Sequence, residues 1–276
     1  MKKINTLKNM IWALAIMICL AGLLIALLFT AFTHYDGPKE RGGVQLGAER
    51  STASTAPDGL DAGVTPVGKG SALAETEDGG QGYVDGLIFL VDSSLIGLRD
   101  YGILPGGVET TQVWSTQTGI VPADSLDDFL IRYPNDGSMI SPVDAAMVAK
   151  PARLVICLGS DALSTTPEEQ FKDGYLRLIE NIRGVSPDTK VVLCTLPSVT
   201  EDYHGEDGLT AEKLNQAGDW VRDLSAQAGV PYADVGGALN NSFDGTLMSN
   251  YASANGKTLN SAGLNVVLHY LRTHTV

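Results

Sequence analysis

Three polar clusters in this chain follow near-continuous apolar runs. Asp92-Ser93-Ser94 comes after Gly86–Val91, Gly159-Ser160-Asp161 after Arg153–Leu158, and Thr195-Leu196-Pro197 closes Lys190–Thr195. If the runs are strands of a parallel sheet, the clusters sit at their carboxyl ends, where open α/β sheets carry out chemistry. A serine there acts as a nucleophile when a general base takes its proton, or simply caps the next helix. Ser93 is so placed. Four histidines are available as a base: His34, His204, His269 and His274. His34 lies ahead of the folded portion, and His269 and His274 lie off the apolar face of the last helix. His204, in SVTEDYHGEDG, belongs to the loop after Lys190–Thr195 and opens on the rim that holds Ser93. It is the one candidate base, set against the plainer reading of a polar loop residue. The three cysteines (Cys19, Cys157, Cys194) show no CxxC or zinc-type spacing. Cys157 and Cys194 lie inside apolar runs and read as small core residues. The acidic loops lack EF-hand spacing, so neither a metal nor a cofactor is expected. Trp114 reads as core, with sugar stacking as the alternative for an exposed ring.

The elements that must position these residues are legible in the apolar pattern. Gly86–Val91, Arg153–Leu158, Lys190–Thr195 and Val230–Val235 are apolar almost throughout, as strands covered on both faces should be. Pro167–Arg183 places Phe171, Tyr175, Leu178, Ile179 and Ile182 at helical spacing, with Pro167 suited to a first helical position. Thr210–Ala228 repeats that spacing with Leu214, Ala217, Val221 and Leu224 behind a Thr210 cap. Ser261 is the expected cap of a last helix whose face is Leu264, Val267, Leu268 and Leu271. Phe129–Ile140 reads as a hairpin around Pro134-Asn135-Asp136-Gly137. Strands alternating with helices predict a three-layer α/β/α fold with a mainly parallel sheet.

Charge and composition set the surroundings. Among 276 residues, 32 Asp and Glu oppose 19 Lys and Arg, a net charge of −13 that argues against a nucleic-acid partner. Ile11–Phe32 carries no charge, and about 20 apolar residues cross a bilayer core. Lys2, Lys3 and Lys8 precede that run and the acidic remainder follows. The expectation is a single-pass anchor in the cell membrane, N-terminus cytoplasmic and C-terminal domain outside. A cleaved signal peptide is the rival, although its apolar region normally spans only about 7–15 residues. Residues 33–82, rich in Gly, Ser, Thr, Ala and acids, read as a disordered linker. The predicted organisation is a cytoplasmic N-terminus (1–10), a transmembrane anchor (11–32), the linker (33–82) and one α/β domain (83–276).

FLVDSSLIGLRDYG resembles the first block of SGNH/GDSL hydrolases, in which Gly-Asp-Ser follows the first strand. VWSTQTG, ICLGSDALS and NGKTLNSAGLNVVLHYLRTH are similar to the later blocks, in family order, so the resemblance extends over Tyr83–Val276. It implies an SGNH-hydrolase-like domain of flavodoxin-like topology, with Ser93 as nucleophile. The oxyanion hole would be formed by Ser93, Gly119 and the residue at position 161. The tail would supply a His at 258, oriented by an Asp at 255.

The departures from that pattern bear directly on chemistry. The His position holds Thr258, the Asp position Asn255, the oxyanion-hole Asn position Asp161, and the Gly before Asp-Ser is Val91. Threonine takes no proton near neutral pH, and a carboxylate repels the oxyanion that an amide would stabilise. Two functions follow from the resemblance. One is a non-catalytic or very weakly active homologue that binds a cell-wall polysaccharide or envelope protein. The other is an active serine esterase or deacetylase on O-acylated cell-wall polysaccharide, with Ser93 as nucleophile and His204 or another group as base. A flavodoxin-like nucleotide binder has no Gly-rich phosphate loop to support it.

Overall fold

The structure, a computed structural model, describes residues 71–276; the expected anchor and most of the linker lie outside them. Its centre is a five-stranded, all-parallel sheet of β1 (Leu87–Val91), β2 (Val113–Trp114), β5 (Arg153–Cys157), β6 (Lys190–Cys194) and β7 (Tyr232–Ala233). The spatial order is β2-β1-β5-β6-β7. Counted along this sheet alone the order is 2-1-3-4-5, the doubly wound arrangement whose switch point lies between β1 and β5. A separate antiparallel pair, β3 (Ile131–Arg132) and β4 (Met139–Ile140), forms the hairpin expected around Pro134–Gly137. Four of the five parallel strands coincide with the apolar runs. Past the first residues of β5 and β6, Arg153 and Lys190, they are apolar because helices flank the sheet and leave neither face to water.

The helices are α1 (Gly80–Asp85), α2 (Gly97–Asp100), α3 (Pro142–Ala149), α4 (Glu168–Val185), α5 (Ala211–Ala228), α6 (Val235–Leu239) and α7 (Ser261–Thr273). α3, α4 and α5 pack side by side, and α7 packs against α1, α2 and α6. Phe171, Tyr175, Leu178, Ile179 and Ile182 of α4 are all buried, as their spacing requires. Each such side chain contributes about 1.5–3 kcal/mol by leaving water. Thr210 caps α5, its Oγ1 accepting the Lys213 N–H at 3.2 Å. At two helix starts the structure differs from the sequence reading by one residue. Pro167 stands at the extended N-cap position of α4 rather than inside the helix. The cap of α7 is Asn260 rather than Ser261, with Oδ1 accepting from Ala262 and Gly263 at 2.8 and 3.0 Å.

Composition placed residues 71–82 in the linker, but they lie against the domain. Leu73 N–H donates to the Tyr232 carbonyl and Tyr232 N–H to that of Ser71, so Ala72 extends the β7 edge in parallel. Thr76 and Gly79 donate to the carbonyls of Thr273 and Arg272 at the end of α7. Trp114 is 1% exposed and meets Tyr133 edge-on, so its role is packing. Among the described residues no helix is long and apolar enough to cross a membrane.

The carboxyl end of β5 is fixed with particular care. The Tyr175 hydroxyl is buried and donates to the Leu158 carbonyl while accepting the Leu158 N–H, both at 2.9 Å. Gly159 follows with φ of +106° and no room for a Cβ against the Phe171 ring. This turn delivers Ser160 and Asp161 to the sheet end. Gly159→Ala is expected to destabilise the fold by about 2–4 kcal/mol through backbone strain and overpacking. Urea denaturation should show a lower midpoint with an unchanged m-value.

Candidate functional site

Asp92 and Ser93 leave β1, and Ser160 and Asp161 leave β5, at the switch point of the sheet. Asp92 is fully buried and accepts four hydrogen bonds. Its Oδ1 takes the N–H and hydroxyl of Ser94 at 2.9 and 2.6 Å, and its Oδ2 those of Ser160 at 2.8 and 2.9 Å. Burial, followed by the neighbouring charge of Asp161, pushes its carboxyl above the ordinary range despite those bonds. The capping alternative for Ser93 is not realised, because α2 begins at Gly97 and its N-cap residue is Ile96. Ser93 Oγ instead donates to Asp161 Oδ1 at 2.7 Å.

Further donors converge on the Asp161 carboxylate, which is 6% exposed. The Ser93 N–H approaches Oδ2 at 3.4 Å, the Val121 N–H reaches it at 3.1 Å, and Lys257 Nζ lies 3.5 Å from Oδ1. The main chain holds Asp161 in place: its carbonyl accepts the Ala123 N–H at 2.7 Å, and Ala162 follows with φ of +57°. A non-glycine residue in the left-handed region is a strained position of the kind that collects at functional sites. Gly119, the expected backbone donor, directs its N–H to the Thr116 carbonyl at 3.3 Å. The tight 116–119 turn, with Gly119 at φ of +81° against Ile96, accounts for this. The donor on this edge is Val121, two residues later.

The tail loop is organised by Asn255. Its Oδ1 accepts the N–H groups of Lys257 and Thr258 at 2.9 and 3.0 Å and the Thr258 hydroxyl at 3.2 Å. Asn255 and Thr258 are therefore brought together, as an orienting pair three residues apart should be, but with an amide and a hydroxyl in place of carboxylate and imidazole. The group aimed at Asp161 is the side chain between them. Lys257, to which the sequence reading assigns no role, bridges Asp161 and Asp207, the latter at 3.0 Å. Asp207 also receives the Tyr203 hydroxyl at 2.9 Å and the Leu209 N–H at 3.1 Å. Burial alone would raise the Asp207 carboxyl, but these bonds and the Lys257 charge outweigh it and hold it low. For Lys257 burial works downward, and Asp207 and Asp161 together carry its ammonium above the ordinary value. A lone lysine in the tail motif and an acid-rich 201–207 loop were the available signals.

His204 is exposed and lines a cleft of about 600 Å³ with Tyr203, Ser253 and Asn255. The partner of the Ser93 hydroxyl is Asp161. Cys157 and Cys194 are buried, and burial pushes the Cys194 thiol up to about 12. Among the described residues no three His, Cys, Asp or Glu side chains gather as metal ligands.

Ser93 and Asp161 thus face each other at the switch point of a doubly wound α/β sheet, the place where such folds put their ligand sites. Residues 116–258, just over half of the chain, match the GDSL-like Lipase/Acylhydrolase family, and the chain belongs to that family. The match begins after Ser93. Among solved structures, the chain is similar to a protein described as a platelet activating factor from Streptococcus pneumoniae. Identity there is 17%, with 68% of this chain and 82% of the other covered at a TM-score of 0.49. A protein described as a GDSL-like lipase from Parabacteroides merdae gives 14%, 72%, 96% and 0.47 in the same order. A peptidoglycan O-acetylesterase gives 13%, with 47% of this chain, 38% of the other and a TM-score of 0.40. No curated protein matches the chain.

Lys257→Met should cost about 1–3 kcal/mol near pH 7, because it leaves Asp161 and Asp207 without their cation while Asp207 keeps some solvent. Asp207, held low, contributes stability above its ordinary carboxylate range and loses it as pH falls through the lower folded value. Lys257, held high, contributes below the lysine range and loses that only at more alkaline pH. The difference between variant and parent in urea melts should therefore be full at pH 7 and shrink as pH falls below the ordinary aspartate range.

Proposed function

We propose that this chain is a GDSL-family domain that has lost, or nearly lost, serine acyl transfer. On this reading it is tethered outside a cell membrane by Ile11–Phe32 and binds an envelope polysaccharide or protein. The observation that carries the reading is the occupancy of the donor cluster. The N–H groups of Ser93 and Val121, the Ser93 hydroxyl and the Lys257 ammonium all face one carboxylate, that of Asp161. Acyl transfer needs such donors to meet the oxygen on which negative charge develops. A fixed carboxylate among them supplies repulsion instead, and the tail offers Thr258 where a proton acceptor is required. The tether is supported by the uncharged run and the lysines before it, and envelope polymers are what a domain so placed meets.

The test is hydrolysis of p-nitrophenyl acetate by the full chain across about pH 6–9, the range that spans histidine titration. Ser93→Ala should match the parent rate. The triple variant Asp161→Asn, Asn255→Asp, Thr258→His should raise the rate by about 10²-fold or more, since it restores a base and an amide donor together. Parent turnover abolished by Ser93→Ala would replace this reading with the active esterase.

A further inference from the structure

We propose that a second cleft, at the carboxyl ends of β6 and β7, binds a neutral oligosaccharide, with the Phe243 ring as its stacking platform. The choice of a sugar rests on the reading of this chain as an envelope-binding domain; the location does not. The cleft measures about 460 Å³, inside the roughly 300–1,000 Å³ typical of small-molecule sites. Thr195 and Asp234, which follow β6 and β7, line it together with Asn215 and Arg222 of α5. It therefore occupies the sheet end where doubly wound folds bind ligands, but at the edge of the sheet away from the β1/β5 switch point.

The loop after α6 forms the rim, and Ser242 and Gly245 from it line the cleft. Between them Phe243 is 95% exposed, although phenylalanine is among the residue types most often buried. Its backbone is held firmly. Asn241 N–H donates to the Thr246 carbonyl at 2.7 Å, Gly245 N–H to that of Asn241 at 2.8 Å, and Phe243 N–H to Asn241 Oδ1 at 3.0 Å. The Asn215 amide pins the loop to α5 by donating to the Gly245 carbonyl at 3.0 Å. A ring carried on a fixed backbone loses little entropy on contact, which favours it as an anchor.

The surrounding chemistry selects the ligand. A sugar ring has an apolar C–H face for an aromatic and a polar edge of hydroxyls for amides, carboxylates and guanidinium. Arg222 pairs with Asp219 and Asp234 through its two terminal nitrogens, and a guanidinium has five donors in all. Asp244, on the same loop, is kept below the ordinary carboxylate range by its bonds from Thr246. With Asp219 and Asp234 set against its one arginine, the cleft lining is net acidic, so it repels polyanions and admits neutral chains.

The experiment is calorimetric titration of the full chain with cellotetraose and with tetra-N-acetylchitotetraose. At least one should bind. Phe243→Ala should weaken binding about tenfold or more, and Phe243→Trp should preserve it. The ring makes no core contact, so both variants should melt with the parent. Binding undiminished in Phe243→Ala, or no binding of either sugar to the parent, overturns the proposal. Loss of sugar binding in Ser93→Ala with retention in Phe243→Ala would overturn this cleft and leave the binding reading standing. Ser93-dependent ester turnover would remove that reading by a separate measurement.

Discussion

The geometry of the candidate site depends on a single buried carboxylate, that of Asp92. It accepts from Ser94 on its own turn and from Ser160 on the turn after β5, so one side chain ties together the two strand ends between which the sheet reverses. Without a charge acceptor there, four donors at the sheet end would face apolar surroundings, and each unmade bond of that kind costs about 1–3 kcal/mol. The clamp also fixes what lies beside it. Ser93 and Asp161 are the neighbours in sequence of the clamped residues, so their 2.7 Å contact follows from the position of Asp92.

A second layer of charge closes over that contact. Asp161 and Asp207 come from loops after different strands, and both are met by Lys257 from the tail. In a strongly acidic chain, such a lysine offsets repulsion between loops that must approach one another. Its aim is set locally, since Asn255 organises the 255–258 turn through three bonds to one oxygen. The residues at the expected Asp and His positions thus act on backbone shape, and the charge they deliver belongs to the residue between them.

What could be read from the sequence follows this division. The long strands were legible because burial on both faces leaves an unbroken apolar run, and the helices because one face is periodic. β2 was not, since two residues, Val113 and Trp114, make no pattern. Residues 71–73 were hidden for another reason: they join the sheet through main-chain bonds to Tyr232, which composition does not record. The start of α7 lay one residue off because Asn260 and Ser261 are both good cap types. At the site, Ser93 and Asp161 could be placed from the strand ends. Lys257 could not, because its partners are remote in sequence and are assembled only by the loops. That Val121 and not Gly119 turns its N–H to Asp161 depends on how the 116–121 backbone runs, which no residue type announces.

The division also separates what holds the sheet end from what Ser93 faces. The interactions that hold the sheet end, at Asp92, Ser94, Ser160 and Tyr175, involve neither the serine hydroxyl nor the tail positions of the catalytic pattern. Asp161, Asn255 and Thr258 make no hydrogen bond to the Asp92 carboxylate, so substitutions there would leave the clamp's own bonds intact. A nearly buried carboxylate at 161 is tolerable because a cation meets it, and Lys257 of the tail loop supplies one. The second cleft opens at the same carboxyl end of the sheet but at its far edge, beyond β6 and away from Ser93. The cleft beside β6 and β7 draws its walls from α5 and α6 and shares no hydrogen bond with the Asp92 clamp.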